Sequence, residues 1–179
     1  METKKKIRQE ILAKRDALPV LEKKRLSKKI SDRIKNLPAF IKAEKLLLFV
    51  GYGSEPDTIP FIEECLQKGK EVYCPVVLND TMEFYRIYSP AELKEGYKGI
   101  LEPLPVQERK YVPGEYDFML VPGTAFDRQG NRIGYGKGFY PSSECKEESF
   151  KFITRVWEQV SETFENYDEK LKQFLKNYL

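Results

Sequence analysis

The chain has 179 residues, of which 41% are hydrophobic, 13% aromatic and 33% charged, enough apolar material for one well-filled domain with an appendage and too little for two large ones. It carries a formal charge of +3 and no histidine, which excludes Ser/His and Cys/His nucleophile pairs and histidine-based metal sites. No apolar run approaches the roughly 18 residues of a membrane span, and the charged start Met1-Glu-Thr-Lys-Lys-Lys-Ile-Arg8 is followed by no signal-like stretch, so a cytoplasmic protein with no membrane partner is expected.

Ile7, Ile11 and Leu12 recur at helical spacing up to Leu18-Pro19, and Leu26, Ile30, Ile34 and Leu37 do so up to Pro38, which predicts two leading amphipathic helices. This part of the chain is basic. Residues 1 to 45 hold 15 Lys and Arg against 6 Asp and Glu, whereas residues 46 to 140 hold 10 against 14 and residues 141 to 179 hold 6 against 8. Solvated helix faces, a rim around a polyanionic small molecule and a nucleic-acid arm all have this pattern, and the nucleic-acid reading ranks last.

Lys45-Leu-Leu-Leu-Phe-Val-Gly51 is a short apolar run that reads as a strand buried on both faces of a parallel sheet. Thr58 to Gln67 reads as a helix closed by the glycine of Lys68-Gly-Lys70, and Glu71 to Val77 as the next strand, giving a β-α-β unit. Met82 to Tyr88 and Tyr116 to Gly123 supply two further strands, separated by a Gly- and Pro-rich stretch, 96 to 113, that should be largely irregular. Cys65, Cys74 and Cys145 are too widely spaced for a CxxC signature and read as free thiols. Beyond Pro141 there is no glycine or proline, and Phe150, Ile153, Val156, Trp157, Val160 and Phe164 form a helical stripe. The expected architecture is therefore α/β. It is a three-layer domain, residues 1 to 140, with a mixed, mainly parallel sheet and two leading helices, followed by a helical C-terminal appendage, 141 to 179, packed on it as a monomer or in an exchanged dimer.

The segment with the most chemistry is Gly123-Thr-Ala-Phe-Asp-Arg-Gln-Gly-Asn-Arg-Ile-Gly-Tyr-Gly-Lys-Gly-Phe-Tyr140. Gly134, Gly136 and Gly138 remove side chains from alternate positions, so backbone amides can approach an anion, and Arg132 and Lys137 add positive charge beside them. A phosphate cradle follows, of neither the Walker nor the Rossmann spacing. A tight glycine turn is the alternative, and it leaves the interleaved cations without a purpose.

These residues resemble the 5-formyltetrahydrofolate cyclo-ligase family, also called 5,10-methenyltetrahydrofolate synthetases, over about residues 3 to 140. Lys4-Lys-Lys-Ile-Arg8, Ser54-Glu-Pro-Asp-Thr58, Gly99-Ile-Leu-Glu-Pro103, Val121-Pro-Gly-Thr-Ala-Phe-Asp127 and Asn131-Arg-Ile-Gly-Tyr-Gly-Lys-Gly-Phe-Tyr140 carry the resemblance. It implies an ATP- and Mg2+-dependent ring closure in one-carbon metabolism. ATP phosphorylates the formyl oxygen of 5-formyltetrahydrofolate, N10 attacks the activated carbon, and phosphate leaves to give 5,10-methenyltetrahydrofolate. By the same resemblance Lys4, Arg8, Arg132 and the loop Gly134, Tyr135, Gly136, Gly138, Phe139 and Tyr140 would hold ATP. Lys137 would sit at the transferring phosphate, with Arg132 as its catalytic companion, and Val50 and Glu55 would line the folate pocket. Pro141 stands where the family's loop has an aspartate associated with magnesium, and the last 38 residues match none of the family's motifs. The metal ligands are thus open, with Asp127 a candidate, and so is the alternative of a family member that binds nucleotide or folate without turnover.

Overall fold

A computed structural model describes residues 2–79, 81–115, 117–126 and 132–135. Three helices come first: α1 (Glu2–Asp16), α2 (Val20–Lys35) and the short α3 (Pro38–Lys42). The two expected leading helices are α1 and α2. The third begins with Pro38 in its first turn, where the missing N–H costs nothing.

The main sheet has strand order β3-β2-β1-β6, built from β1 (Lys45–Leu48), β2 (Glu71–Leu78), β3 (Thr81–Ile87) and β6 (Asp117–Leu120). Strand β1 runs parallel to both β2 and β6, and β3 is antiparallel to β2, so the sheet is mixed and mainly parallel, as expected. The crossover from β1 to β2 is α4 (Ile59–Gln67). It stops at a Schellman closure in which Gly69 (φ 76°) donates to the Leu66 carbonyl and Lys70 to the Cys65 carbonyl, at 3.0 and 3.1 Å. Two small antiparallel pairs complete the described elements: β4 (Lys94–Glu95) with β5 (Leu101–Glu102), and β7 (Ala125–Phe126) with β8 (Arg132–Ile133). Both pairs are only two residues deep, too short to leave a period in the sequence.

Alternation along β1 divides the core. Leu46 and Leu48 join Ile34, Phe40, Ile62 and Phe118 on the face covered by α2, α3 and α4, and Leu47 joins Tyr73 and Phe84 on the opposite face. Each such side chain, once buried, contributes about 1.5–3 kcal/mol. A third cluster ties α1 to the β7–β8 pair through Ile7, Ile11, Ala125 and Ile133. Cys65 and Cys74 are buried free thiols, and loss of solvation pushes both up to about 12, so neither is a nucleophile at neutral pH. Cys145 and the expected helical appendage, 141 to 179, lie outside the described residues.

Candidate active site

The carboxyl ends of β6, β1 and β2 open into a cavity of about 710 Å3, the place where a parallel sheet with crossover helices leaves room for ligands. The loop after β1 is its floor. Thr58 fixes this loop from within: its hydroxyl accepts from the Gly51 amide and donates to the Phe49 carbonyl, each at 2.9 Å, and the side chain is buried. Gly51 is obligatory, because a Cβ there would overlap the Pro56 carbonyl oxygen. Glu55 folds back on the same turn, its carboxylate accepting from the Tyr52 amide at 3.0 Å and its own amide donating to the Tyr52 carbonyl at 3.0 Å. Glu55 is thereby held 8% exposed inside a ligand-sized space.

Both leading helices brace this turn from outside. Ser27 of α2 accepts from the Asp57 amide at 2.9 Å while donating to the Lys23 carbonyl at 2.7 Å, and Lys23 reaches the Gly53 carbonyl. From the end of α1, Arg15 donates to the Ser54 hydroxyl at 3.0 Å, and Ser54 donates to Asp16. The helices that precede the sheet therefore set the position of the residues that follow its first strand.

Positive charge lines the cavity from α1. Lys4, Arg8, Leu12 and Arg15 form one stripe of α1 and all face the cavity, while Ile7 and Ile11 of the same helix turn into the core. This settles which way Lys4 and Arg8 point, a matter that spacing alone leaves open. Arg8 donates to the Gly134 carbonyl at 2.9 Å, and Arg132 donates to the Pro122 carbonyl at 2.9 Å. Side chains would crowd this corner, since a Cβ on Gly134 would lie 3.0 Å from the Arg132 guanidinium. The seven described residues expected to bind ligands, Lys4, Arg8, Val50, Glu55, Arg132, Gly134 and Tyr135, all line this one cavity. Gly136, Lys137, Gly138, Phe139, Tyr140 and Asp127 lie outside the described residues.

Tyr135 extends from the glycine segment toward the Glu55 turn. Arg15 donates to its hydroxyl at 2.5 Å and sits over its ring at 5.7 Å from the centroid. Partial loss of solvation and the neighbouring Glu55 carboxylate, against the pull of Arg15, raise the phenol above its ordinary range although the residue is 44% exposed, so it remains protonated at physiological pH. The sequence reading did not single out Arg15, although its place seven residues after Arg8 on the same helical stripe is a signal that could have found it. Glu102 and Tyr97 also line the cavity without having been singled out individually.

Replacing Glu55 by glutamine keeps the shape of the turn and removes the charge. Affinity for a donor-rich heterocycle such as a pterin should fall about 10-fold or more, as a charge-assisted hydrogen bond is worth about 1.5–3 kcal/mol, with ATP affinity preserved. Calorimetric titration of each ligand checks this, and equal loss of both would assign Glu55 a structural role only.

Comparison with known proteins adds an independent line. The 5-formyltetrahydrofolate cyclo-ligase family model matches residues 1–170, continuing past residue 140, where the signature motifs end. The chain is 35% identical over 105 residues to the 5-formyltetrahydrofolate cyclo-ligase of Mycolicibacterium smegmatis, spanning 56% of this chain and 54% of that protein. It is 30% identical over 145 residues to that of Haemophilus influenzae, spanning 78% of each. Among solved structures, Aquifex aeolicus 5,10-methenyltetrahydrofolate synthetase superposes with a TM-score of 0.67 at 40% identity, over 76% of this chain and 69% of that one. A 5,10-methenyltetrahydrofolate synthetase from Mycoplasma pneumoniae, at 24% identity and a TM-score of 0.57 over 76% and 74%, shares the fold.

Proposed function

The chain belongs to the 5-formyltetrahydrofolate cyclo-ligase family, and we propose that it is an enzyme that converts 5-formyltetrahydrofolate to 5,10-methenyltetrahydrofolate at the expense of ATP. The observation that carries this reading is the mixed lining of this cavity, which brings Lys4, Arg8, Arg15, Lys98 and Arg132 together with buried Glu55. A polyanionic triphosphate and an N–H-rich heterocycle need those two environments side by side.

In this reading Lys4, Arg8 and Arg132 hold the ATP phosphates, and the amides around Gly134 approach them where no side chain intervenes. The γ-phosphoryl group passes to the formyl oxygen, leaving ADP. N10 then attacks the activated carbon and gives up its proton, and the carbon–oxygen bond breaks to release phosphate. Phosphoryl transfer of this kind is driven by positioning and charge neutralisation, which these residues supply without histidine or a covalent nucleophile. Val50 and Glu55 hold the folate, and Arg15 and Tyr135 clamp the Glu55 turn against the nucleotide end. Magnesium is the ion that customarily accompanies ATP. Among the described residues no group of three metal-ligating side chains is assembled; phosphates, water and Asp127 would hold the ion.

A cytoplasmic enzyme acting on small molecules, with neither nucleic-acid nor membrane partner and either monomeric or an exchanged dimer, completes the reading. Among the described residues no helix is long and apolar enough to cross a membrane. The second reading, binding without turnover, rests on Pro141 at the position of the family's aspartate. Phosphate release separates the two. It should begin only when 5-formyltetrahydrofolate is added with ATP, and tetrahydrofolate, which has no formyl oxygen to phosphorylate, should not elicit it. Release independent of the formyl group would count against the proposed chemistry.

A further inference from the structure

The wall of the cavity at β2 holds a second buried carboxylate that the reaction just described does not use. Glu102, on β5, is 9% exposed and lines the same cavity as Glu55. One of its oxygens accepts from the Val77 amide at 3.3 Å, long for a bond to a charged acceptor. The other lies over Gly96, where a Cβ would overlap it, so residue 96 leaves room for the carboxylate by having no side chain. Among the described residues no lysine or arginine forms a salt bridge with it.

Among the described residues this long, neutral bond is the side chain's one hydrogen bond, and a ligand that brings N–H donors would offset the desolvation that remains. The surroundings describe the ligand's shape. Pro75 and Val77 on β2, Met82 on β3, and Tyr97 and Ile100 in the β4–β5 connection also line the cavity and offer apolar surface suited to a flat ring. Of the described cations lining the cavity, Lys4, Arg8, Arg15 and Arg132 come from α1 and β8, and Lys98 stands in the β4–β5 connection over the Tyr97 ring.

We propose that Glu102 is a specificity-determining contact for the bicyclic ring of the reduced folate, accepting hydrogen bonds from ring N–H or amino donors while Glu55 engages the ring from the β1 side. This rests on the folate reading and deepens it. Two carboxylates reading one ring select heterocycles with several N–H donors and reject isosteric rings that present lone pairs there, because such rings would leave buried carboxylates facing acceptors.

The competing role for Glu102 is a brace between β5 and β2. Two variants separate the roles. Glu102→Gln keeps an oxygen that can accept from the Val77 amide and loses the charge; Gly96→Ala keeps the charge and displaces the carboxylate. Affinities are measured for 5-formyltetrahydrofolate, for ATP, and for the ring fragment 5-formyl-6-methyltetrahydropterin as a competitor, together with the thermal midpoint. Glu102→Gln should weaken whole folate and ring fragment by the same factor, about 10-fold or more, with ATP affinity and thermal midpoint unchanged. Gly96→Ala should weaken the same two ligands and spare ATP. Wild-type folate affinity in Glu102→Gln, a loss confined to the whole folate and absent from the fragment, or a joint loss of ATP affinity and thermal stability would each overturn the assignment. Failure of the unmutated protein to bind 5-formyltetrahydrofolate would overturn the folate reading itself, and is seen before either variant is made.

Discussion

Lys137→Met should lower turnover about 100-fold or more while leaving the folded state intact, since one aimed electrostatic contact in a transition state is commonly worth about 3 kcal/mol. The lysine stands between Gly136 and Gly138, in a run whose described members, Gly134 and Tyr135, line the cationic end of the cavity beside Arg8 and Arg132. Arg8 and Arg132 donate guanidinium N–H groups to backbone carbonyls, which anchors them as a static positive wall. A charge that tracks the moving phosphoryl group needs a long, single-headed side chain, and lysine provides one. The effect belongs in kcat, with ATP affinity falling less. A variant with wild-type turnover would leave Lys137 as a surface lysine and return the catalytic charge to the arginines.

Gly51→Ala should be the most damaging single-methyl change in the described structure. The added Cβ would overlap the Pro56 carbonyl oxygen and lie 3.1 Å from the Pro56 carbonyl carbon and 3.6 Å from the Thr58 amide nitrogen. These are backbone atoms, so no rotamer relieves the contact. The turn must open, and Thr58 then loses the geometry by which it satisfies both the Gly51 amide and the Phe49 carbonyl. A cost of about 2–3 kcal/mol is expected, in the range of overpacked interiors, which lowers the thermal midpoint of a chain of this size by roughly 4–12 °C. Folate affinity should fall with it, because Glu55 hangs on the same turn. Gly53→Ala is the control. It meets nothing within 4 Å and carries only the strain of its φ of 58°, so it should cost about 1 kcal/mol. Thermal melts of the two variants side by side check the claim, and equal midpoints would refute it.

The elements that could be read from sequence are those whose burial is written in consecutive residues. The run Lys45 to Gly51, the helix before Gly69 and the strand from Glu71 gave β1, α4 and β2 because a strand covered on both faces must be apolar throughout. The parts that were hidden depend on contacts made at a distance. Lys4 and Arg8 have the same helical spacing whether they face solvent or a cavity, and only the packing of Ile7 and Ile11 on Ala125 and Ile133 decides between them. The β7–β8 pair brings Arg132 back beside Pro122, yet at two residues per strand it offers no alternation to detect. Glu102 sits in a Gly-Ile-Leu-Glu-Pro string that names no environment for its side chain; burial came from β5 docking near β2, with Gly96 giving way. Arg15 was legible in principle, as the next member of the Lys4 and Arg8 stripe.

The two halves of the site also have different physical characters. The Glu55 end is rigid by construction, a turn closed on itself and braced by α1 and α2. The cationic end is assembled from segments far apart in sequence, with Arg8 and Gly134 separated by 126 positions.

ATP-driven ring closure can be followed by the growth of methenyl-folate absorbance. Purified full-length protein is mixed with 5-formyltetrahydrofolate, ATP and magnesium, and product is followed together with ADP. Absorbance should rise only when all three are present, with one ADP formed for each methenyl product. Binding of both ligands with no rise in absorbance would contradict it, and would make the chain a binding protein built on the cyclo-ligase fold.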